Sequence, residues 1–277
     1  MVEIGLIDKT FIMCGPSCGT GQTGMAPKHI KWYTGEDYRN ITVLTDMCLN
    51  QADTCYSRIK IAWIIEPRAI APYVYNAIEN PALYNKFDFV MTHDKELLNI
   101  DNNKFHFCPL VGHWIIDDDN KIHKKTKNIS MIASGKKQTI GQKLRHSIVE
   151  SCRDNIDGLY GKGYQAVDNK IEGLKDYRFH IVAENDKKDF WFTEKIIDCF
   201  ATGTVPIYWG CPSIGAFFNP DGILSFDTID ELKEILKTTG EELYSNMLPA
   251  IKQNFELSKK YFYPEDFMYN ALIKDFV

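Results

Sequence analysis

Residues 177–226 read YRFHIVAENDKKDFWFTEKIIDCFATGTVPIYWGCPSIGAFFNPDGILSF, and this stretch decides the fold. Residues 179–183 are an apolar run of strand length that ends in two polar residues, Glu184 and Asn185. A polar loop follows. A helical pattern then starts at Thr193, a residue type that caps helices by accepting from first-turn N–H groups. Ile196, Ile197, Phe200 and Ala201 recur at helical spacing, and Gly203 supplies a C-terminal stop. Residues 205–208 and 223–226 are the next apolar runs. Strand, helix and strand in this order predict a crossover unit and hence parallel pairing. In such sheets ligands bind beyond the carboxyl ends of the strands, where Glu184 and Asn185 stand.

Outward from this segment, the same alternation covers the chain. Upstream in the second half, strands are expected at 129–133 and 158–160, with helices at 141–152, 193–201 and 229–238. Residues 241–276 read as mostly helical, interrupted near Pro264. In the first half, strands are expected at 2–7, 41–44, 59–65, 87–91 and 105–109. A polar stretch at 117–128 separates the halves. The expected architecture is α/β: two Rossmann-like doubly wound domains facing a cleft, a first domain over 1–120 and a second over 121–277 that keeps the C-terminal helices.

The 277 residues suffice for two ordinary domains, and 44% hydrophobic with 25% charged residues is a globular composition. A net charge of −5 argues against a nucleic-acid binder, which carries a basic face. The densest basic run, 121–127, reads as a solvated linker. No stretch approaches the ~18 apolar residues of a membrane span, so no integral membrane segment is expected. The start, MVEIGLID, has no basic or long apolar region, which predicts a cytoplasmic protein without a signal peptide. The eight cysteines are then free thiols. A zinc site from Cys14, Cys18, Cys48 and Cys55 is disfavoured by irregular spacing, and the sequons at Asn40 and Asn128 carry no meaning without secretion.

Lys195 sits in the first turn of the predicted helix, where the partial positive charge disfavours a cation. A bound diphosphate at that terminus resolves the conflict; pairing with Asp198 or Glu194 is the plainer alternative. Taken together, EN…FTEKIIDCFATGTVPIYWGCPSI…FNP…F resembles the donor signature of the α-1,3/4-fucosyltransferases (glycosyltransferase family 10-like), whose members show FEN, a short loop, Y-V-T-E-K, a helix and VPI-x-x-G. The resemblance covers about fifty residues. It implies a GT-B-type fold, GDP-fucose as donor substrate and inversion at the anomeric centre. Lys195 would bind the diphosphate and Glu194 hydroxyls of the ribose or sugar. Glu184, Asn185 and Thr193 would line the donor site. Trp191 stands where the family has Tyr, keeping a stacking surface without the hydroxyl, and Ala183 replaces the Phe before EN. The stretch 129–150 resembles the first strand and helix of the family's donor domain. That places Arg145 against the diphosphate, with Lys136, Lys137 and Lys143 as competitors.

Inverting transfer needs one general base for the acceptor hydroxyl and something to neutralise the departing diphosphate. With Arg145 and Lys195 available, no metal is required. Glu66, which ends the run IKIAWIIE and precedes Pro67, is the expected base, facing the cleft; a salt bridge to Arg68 or a helix cap is its plainer role. The resemblance implies a base at this place in the first domain. His93 and Asp94 are the reserve candidates. Gly19–Gly24 matches GxGxxG in form but lacks the strand and helix that motif requires. Asp117–Asp119 resembles a metal-binding DxD and reads better as an exposed acidic turn. The partners expected are a nucleotide sugar and a glycan acceptor. A transferase of the same fold using another nucleotide sugar, or a degenerate glycan- or partner-binding domain, are the alternatives.

Overall fold

The computed structural model describes residues 1–9, 17, 26–34, 39–109 and 111–277. These form two compact units. One comprises Met1–Gly112 together with Tyr263–Val277, the other His113–Phe262. The sequence-based break at 120/121 departs from this, and so does the assignment of all C-terminal helices to the second domain. Apolar residues near the C-terminus, Met268, Leu272 and Ile273, are buried in the first unit's core instead.

The first unit has strands β1 (Val2–Ile7), β2 (Ile30–Thr34), β3 (Ile41–Thr45), β4 (Ile59–Trp63), β5 (Phe89–Thr92) and β6 (Phe105–Phe107). They form one parallel sheet in the order β2-β1-β3-β4-β5-β6. Side chains alternate faces along a strand. Val43, Ile61, Trp63 and Met91 therefore enter one core, while Leu44, Ala62 and Val90 enter the other. A sheet buried on both sides needs near-continuous apolar strands, as ITVLT of β3 is. Helices α1 (Pro72–Ile78), α2 (Pro81–Tyr84) and α3 (Lys95–Leu98) lie in the connections, and α8 (Pro264–Ala271) joins from the C-terminus. The sequence reading did not contain β2. It is an edge strand in which only Ile30 is buried, so its apolar run is too weak to read.

The second unit carries β7 (Lys127–Ile132), β8 (Gly158–Tyr160), β9 (Tyr177–Ala183), β10 (Val205–Trp209) and β11 (Leu224–Ser225), again parallel, in the order β11-β10-β9-β7-β8. Helices α4 (Ile140–Cys152), α5 (Glu194–Thr202), α6 (Ile229–Thr238) and α7 (Glu241–Ser258) complete it. Alternation again sorts the strands. Met131, Phe179, Ile181 and Ile207 pack with Ile148 of α4, Leu232 of α6 and Tyr244 of α7. Lys125, expected in a solvated linker, is buried. Its ammonium donates to the carbonyls of Leu174, Lys175 and Thr202 and to Thr204 Oγ1 at 2.8–3.3 Å. Such a cluster of acceptors lets an amine be buried.

In both sheets the first strand has the second on one side and the third on the other. The crevice where the winding reverses lies at the carboxyl ends of β1 and β3 in one unit, and of β7 and β9 in the other.

Candidate functional site

A cavity of about 240 Å³ opens at the switch point of the second sheet. Its rim includes Ala133 and Ser134 after β7, Gly161 and Lys162 after β8, and Ala183 at the end of β9. Arg145 of α4 and Glu194, Lys195 and Asp198 of α5 face into it.

Local sequence builds this geometry. Thr193 caps α5, its Oγ1 accepting from Lys195 N at 3.4 Å, and Gly203 closes the helix in the left-handed region at φ 69°. Helix α4 begins with a Thr139/Gln142 capping box. Its Gly141 lies so close to β9 that an added Cβ would stand 1.6 Å from Glu184 O. Only glycine permits that approach, through which Gly141 N donates to Asn185 O at 3.1 Å. The approach also carries Arg145 to the strand end. Its Nε and Nη2 donate to Ala183 O at 2.9 and 2.6 Å, and Nη2 also to Asn185 Oδ1 at 2.9 Å. Lys136, Lys137 and Lys143 are exposed and line no part of the cavity.

Glu184 is fully buried. It accepts from Thr193 N at 3.0 Å and Thr193 Oγ1 at 2.7 Å, and lies 3.3 Å from Lys195 Nζ. It thus ties the end of β9 to the start of α5. Lys195 Nζ is also bonded to Thr193 Oγ1 at 2.9 Å and Glu194 Oε1 at 3.3 Å. Of the pairings weighed from sequence, Glu194 holds and Asp198 does not. Asp198 takes Lys170 at 2.9 Å and Trp114 N at 2.7 Å instead. None of Glu184, Asn185, Trp191 and Thr193 lines the cavity; Glu184 and Thr193 contact Lys195, Asn185 contacts Arg145, and Trp191 is buried.

Sequence reasoning missed Lys170, which lines the cavity, lies 3.5 Å from Glu194 and stands over the Trp114 ring at 5.5 Å. Burial works against the charge of Glu194, but Lys195 and Lys170 outweigh it and hold the carboxyl well below its usual range. Burial pushes Asp198 up to about 6, which leaves it ionised at neutral pH. The wall therefore carries charges of both signs, with Lys162, Lys170, Lys195 and Arg145 around a space large enough for part of a nucleotide. The signal that could have found Lys170 is the i, i+4 pair Glu194 and Asp198 on one helix face, which needs a facing cation.

Glu66 belongs to the first unit, three residues beyond the end of β4 and beside that sheet's own switch point. Its backbone is held from both sides. Asp46 accepts from Ile65 N at 2.8 Å through Oδ1 and from Glu66 N at 3.1 Å through Oδ2, and Tyr75 Oη donates to Glu66 O at 2.8 Å. Arg68, weighed as its ion-pair partner, instead makes a bidentate contact with Asp94 at 2.8 and 3.0 Å and pairs with Glu79 at 2.6 Å. Asp94 also caps α3, so its carboxylate is committed to structure. His93 is buried, and desolvation lowers its pKa to about 4.

Asp117–Asp119 form a short 3₁₀ turn at the surface. Among the described residues no group of three or more His, Cys, Asp or Glu is placed to hold a metal. Cys48, Cys55, Cys108, Cys152, Cys199 and Cys211 are free and buried, while Cys14, Cys18 and the Gly19–Gly24 motif lie outside the described residues. No helix among the described residues is long and apolar enough to cross a membrane.

The family model described as glycosyltransferase family 10 (fucosyltransferase) C-term matches residues 122–262, half of the chain. The α-(1,3)-fucosyltransferase FucT of Helicobacter pylori is 39% identical over 106 residues, which are 36% of this chain and 22% of that protein. The chain therefore aligns with well under two thirds of that relative's length. Two crystal structures of an α1,3-fucosyltransferase, with GDP-fucose and with GDP, superpose with TM-scores of 0.52 and 0.51 at 18% identity. Each match covers 84% of this chain and 81% of the other. At that identity the likeness shows the fold, which is the doubly wound GT-B type. The family match spans the cavity, the α5 helix and its ion pairs, and with it the chain belongs to glycosyltransferase family 10, the fucosyltransferases.

Proposed function

We propose that the protein transfers fucose from GDP-fucose to a hydroxyl of a glycan acceptor with inversion. In this reading the diphosphate lies at the N-terminus of α5, against Lys195 and Arg145. Glu194 holds hydroxyls of the ribose or sugar. Glu66 removes the acceptor proton as the new glycosidic bond forms and the bond to GDP breaks. The proton ends on Glu66 and the electron pair of the broken bond on the diphosphate. The observation that carries the reading is the convergence of Arg145, Glu194 and Lys195 on one cavity at the switch point of the second sheet.

Support for the donor side comes from physics independent of any relative. A helix N-terminus offers unpaired N–H groups and partial positive charge. The cations beside it, Arg145 and Lys195, can meet charge that develops on a leaving diphosphate. Support for Glu66 as base comes from its place at the carboxyl end of the first sheet and from a backbone pinned by Asp46 and Tyr75. The two cations supply the leaving-group stabilisation that a divalent ion gives other transferases, so metal-independent transfer is part of the proposal.

Calorimetric titration with GDP, GDP-fucose, GDP-mannose and UDP-sugars in EDTA tests it. Binding that prefers guanine nucleotides under EDTA supports the reading. Binding only after manganese is restored breaks the metal-independent part, and a preference for a UDP-sugar breaks the donor assignment.

A further inference from the structure

His180 of β9 pairs in register with Ser130 of β7, and its side chain is only 6% exposed. Ser130 Oγ lies 2.5 Å from Gly173 O and 2.7 Å from His180 Nδ1. A carbonyl only accepts, so the single hydroxyl proton of Ser130 goes to Gly173. Nδ1 of His180 must then donate to Ser130, which fixes the Nδ1–H tautomer. Burial, reinforced by the charge of Lys170, holds the ring neutral with its pKa lowered to about 3. Nε2 is therefore a bare acceptor. It has no hydrogen-bond partner among the described residues, is not among the atoms sealed from solvent, and belongs to a side chain that lines the cavity.

The cavity exists on this face because the crossover from β8 to β9 covers it with only a short 3₁₀ turn, Lys170–Gly173, in place of a full helix. Ile132, Leu174 and Val182 give it apolar walls around the His180 acceptor. Buried acceptors are nearly always paired, so an unpaired one opening into a cavity of ligand size calls for a donor from the ligand. His180 stands three residues before Ala183 on β9, roughly 10 Å below the strand end where Arg145 is bonded. A diphosphate gripped at the rim does not reach that far, whereas the nucleoside attached to it does.

We propose that the nucleoside of the nucleotide donor occupies this cavity and that His180 Nε2 accepts a hydrogen bond from it, from a base N–H or a ribose O–H. The proposal rests on the donor-site reading above. Titration of the full chain with GDP tests it. His180→Phe weakens GDP roughly tenfold to a hundredfold, and His180→Asn, which keeps an acceptor, weakens it less. Ser130→Ala removes the tautomer lock without touching the ligand and gives a smaller loss. Repeating the titrations with 2′,3′-dideoxy-GDP separates the two donors. A His180→Phe penalty that vanishes with this analogue assigns the contact to the ribose, and one that persists assigns it to the base. A purely structural role would lower the melting temperature of His180→Phe but leave GDP affinity intact in the folded fraction. Wild-type GDP affinity in His180→Phe, or in both His180→Asn and Ser130→Ala should Phe fail to fold, overturns the proposal. Lys195→Ala separates its failure from that of the donor site: if that variant also binds GDP like wild type, the donor site itself has been misread.

Discussion

The two sheets share a winding and differ in what they hold at the point where it reverses. In the second unit the crevice after β7 and β9 is lined by Arg145, Lys170 and Lys195. In the first, the ends of β1 and β3 carry Asp8 and Asp46, both buried, with Thr45 Oγ1 donating to Asp8 and Glu66 following β4 nearby. One topology thus serves opposite electrostatics. A cationic crevice suits a polyanionic leaving group, and an acidic one suits a hydroxyl that must lose its proton. Topology says where a site is, and the side chains at the strand ends say which half of the proposed transfer each crevice suits.

The sharpest break of that contrast is Glu66→Gln. Transfer should fall by about a thousandfold, the usual range for a general base, while GDP affinity stays at the wild-type level; a variant that still transfers fucose rules out Glu66. Next is Lys195→Ala, which should weaken GDP and GDP-fucose roughly a hundredfold in a protein that melts normally. Equal GDP affinity in calorimetry would detach the cationic crevice from donor binding. Asp46→Asn should be smaller. It replaces one of two acceptor oxygens on the backbone of Ile65 and Glu66 by an amide N–H, and a shift of the base near 1 Å lowers kcat by up to about a hundredfold. The KM for the donor should not move, and a change in KM alone would mean that the first crevice contributes to donor binding.

The last expected effect concerns stability rather than activity or binding. Burial raises Asp46 from its ordinary 3.8 to about 6 in the folded chain. A folded-state value above the unfolded one means stability that is present below about pH 4 and lost as pH rises through about 6. The unfolding free energy of Asp46→Asn relative to wild type should therefore rise in the variant's favour between pH 4 and 6.5, by up to about 3 kcal/mol, and then level off. Asp198, also raised to about 6 by burial in the other unit, should give the same sign in Asp198→Asn. Denaturant melts across that range that show a constant difference would remove burial as the dominant influence on these carboxyls.

Local signals were legible and long-range ones were not. Helix α5 was readable within one residue at each end because Thr193 and Gly203 mark it chemically. Strand β8 was readable as three residues because its neighbours on both sides are polar or turn-forming. By contrast, the partner of Asp198 is Lys170, in a polar stretch with no motif, and only the crossover brings them together. Arg145 could be named from the resemblance of residues 129–150 to the family's first strand and helix, but not that Ala183 and Asn185 occupy its Nε and Nη2. The pinning of Glu66 by Asp46 joins residues on different connections, which no periodicity encodes.

The return of the C-terminus to the first unit bears on how the molecule is made. Met268, Leu272 and Ile273 are buried beside Ile4, Val43 and Trp63, so the first core cannot close until the chain as far as residue 273 has left the ribosome. The second unit is contiguous from His113 to Phe262 and has no such wait. Translation delivers N-terminal segments first, and domains generally fold as units. Here the order inverts: the first sheet emerges early with part of its apolar surface bare, and the later-made unit is the one able to finish first. During synthesis, chaperones would find their binding surface on the N-terminal half.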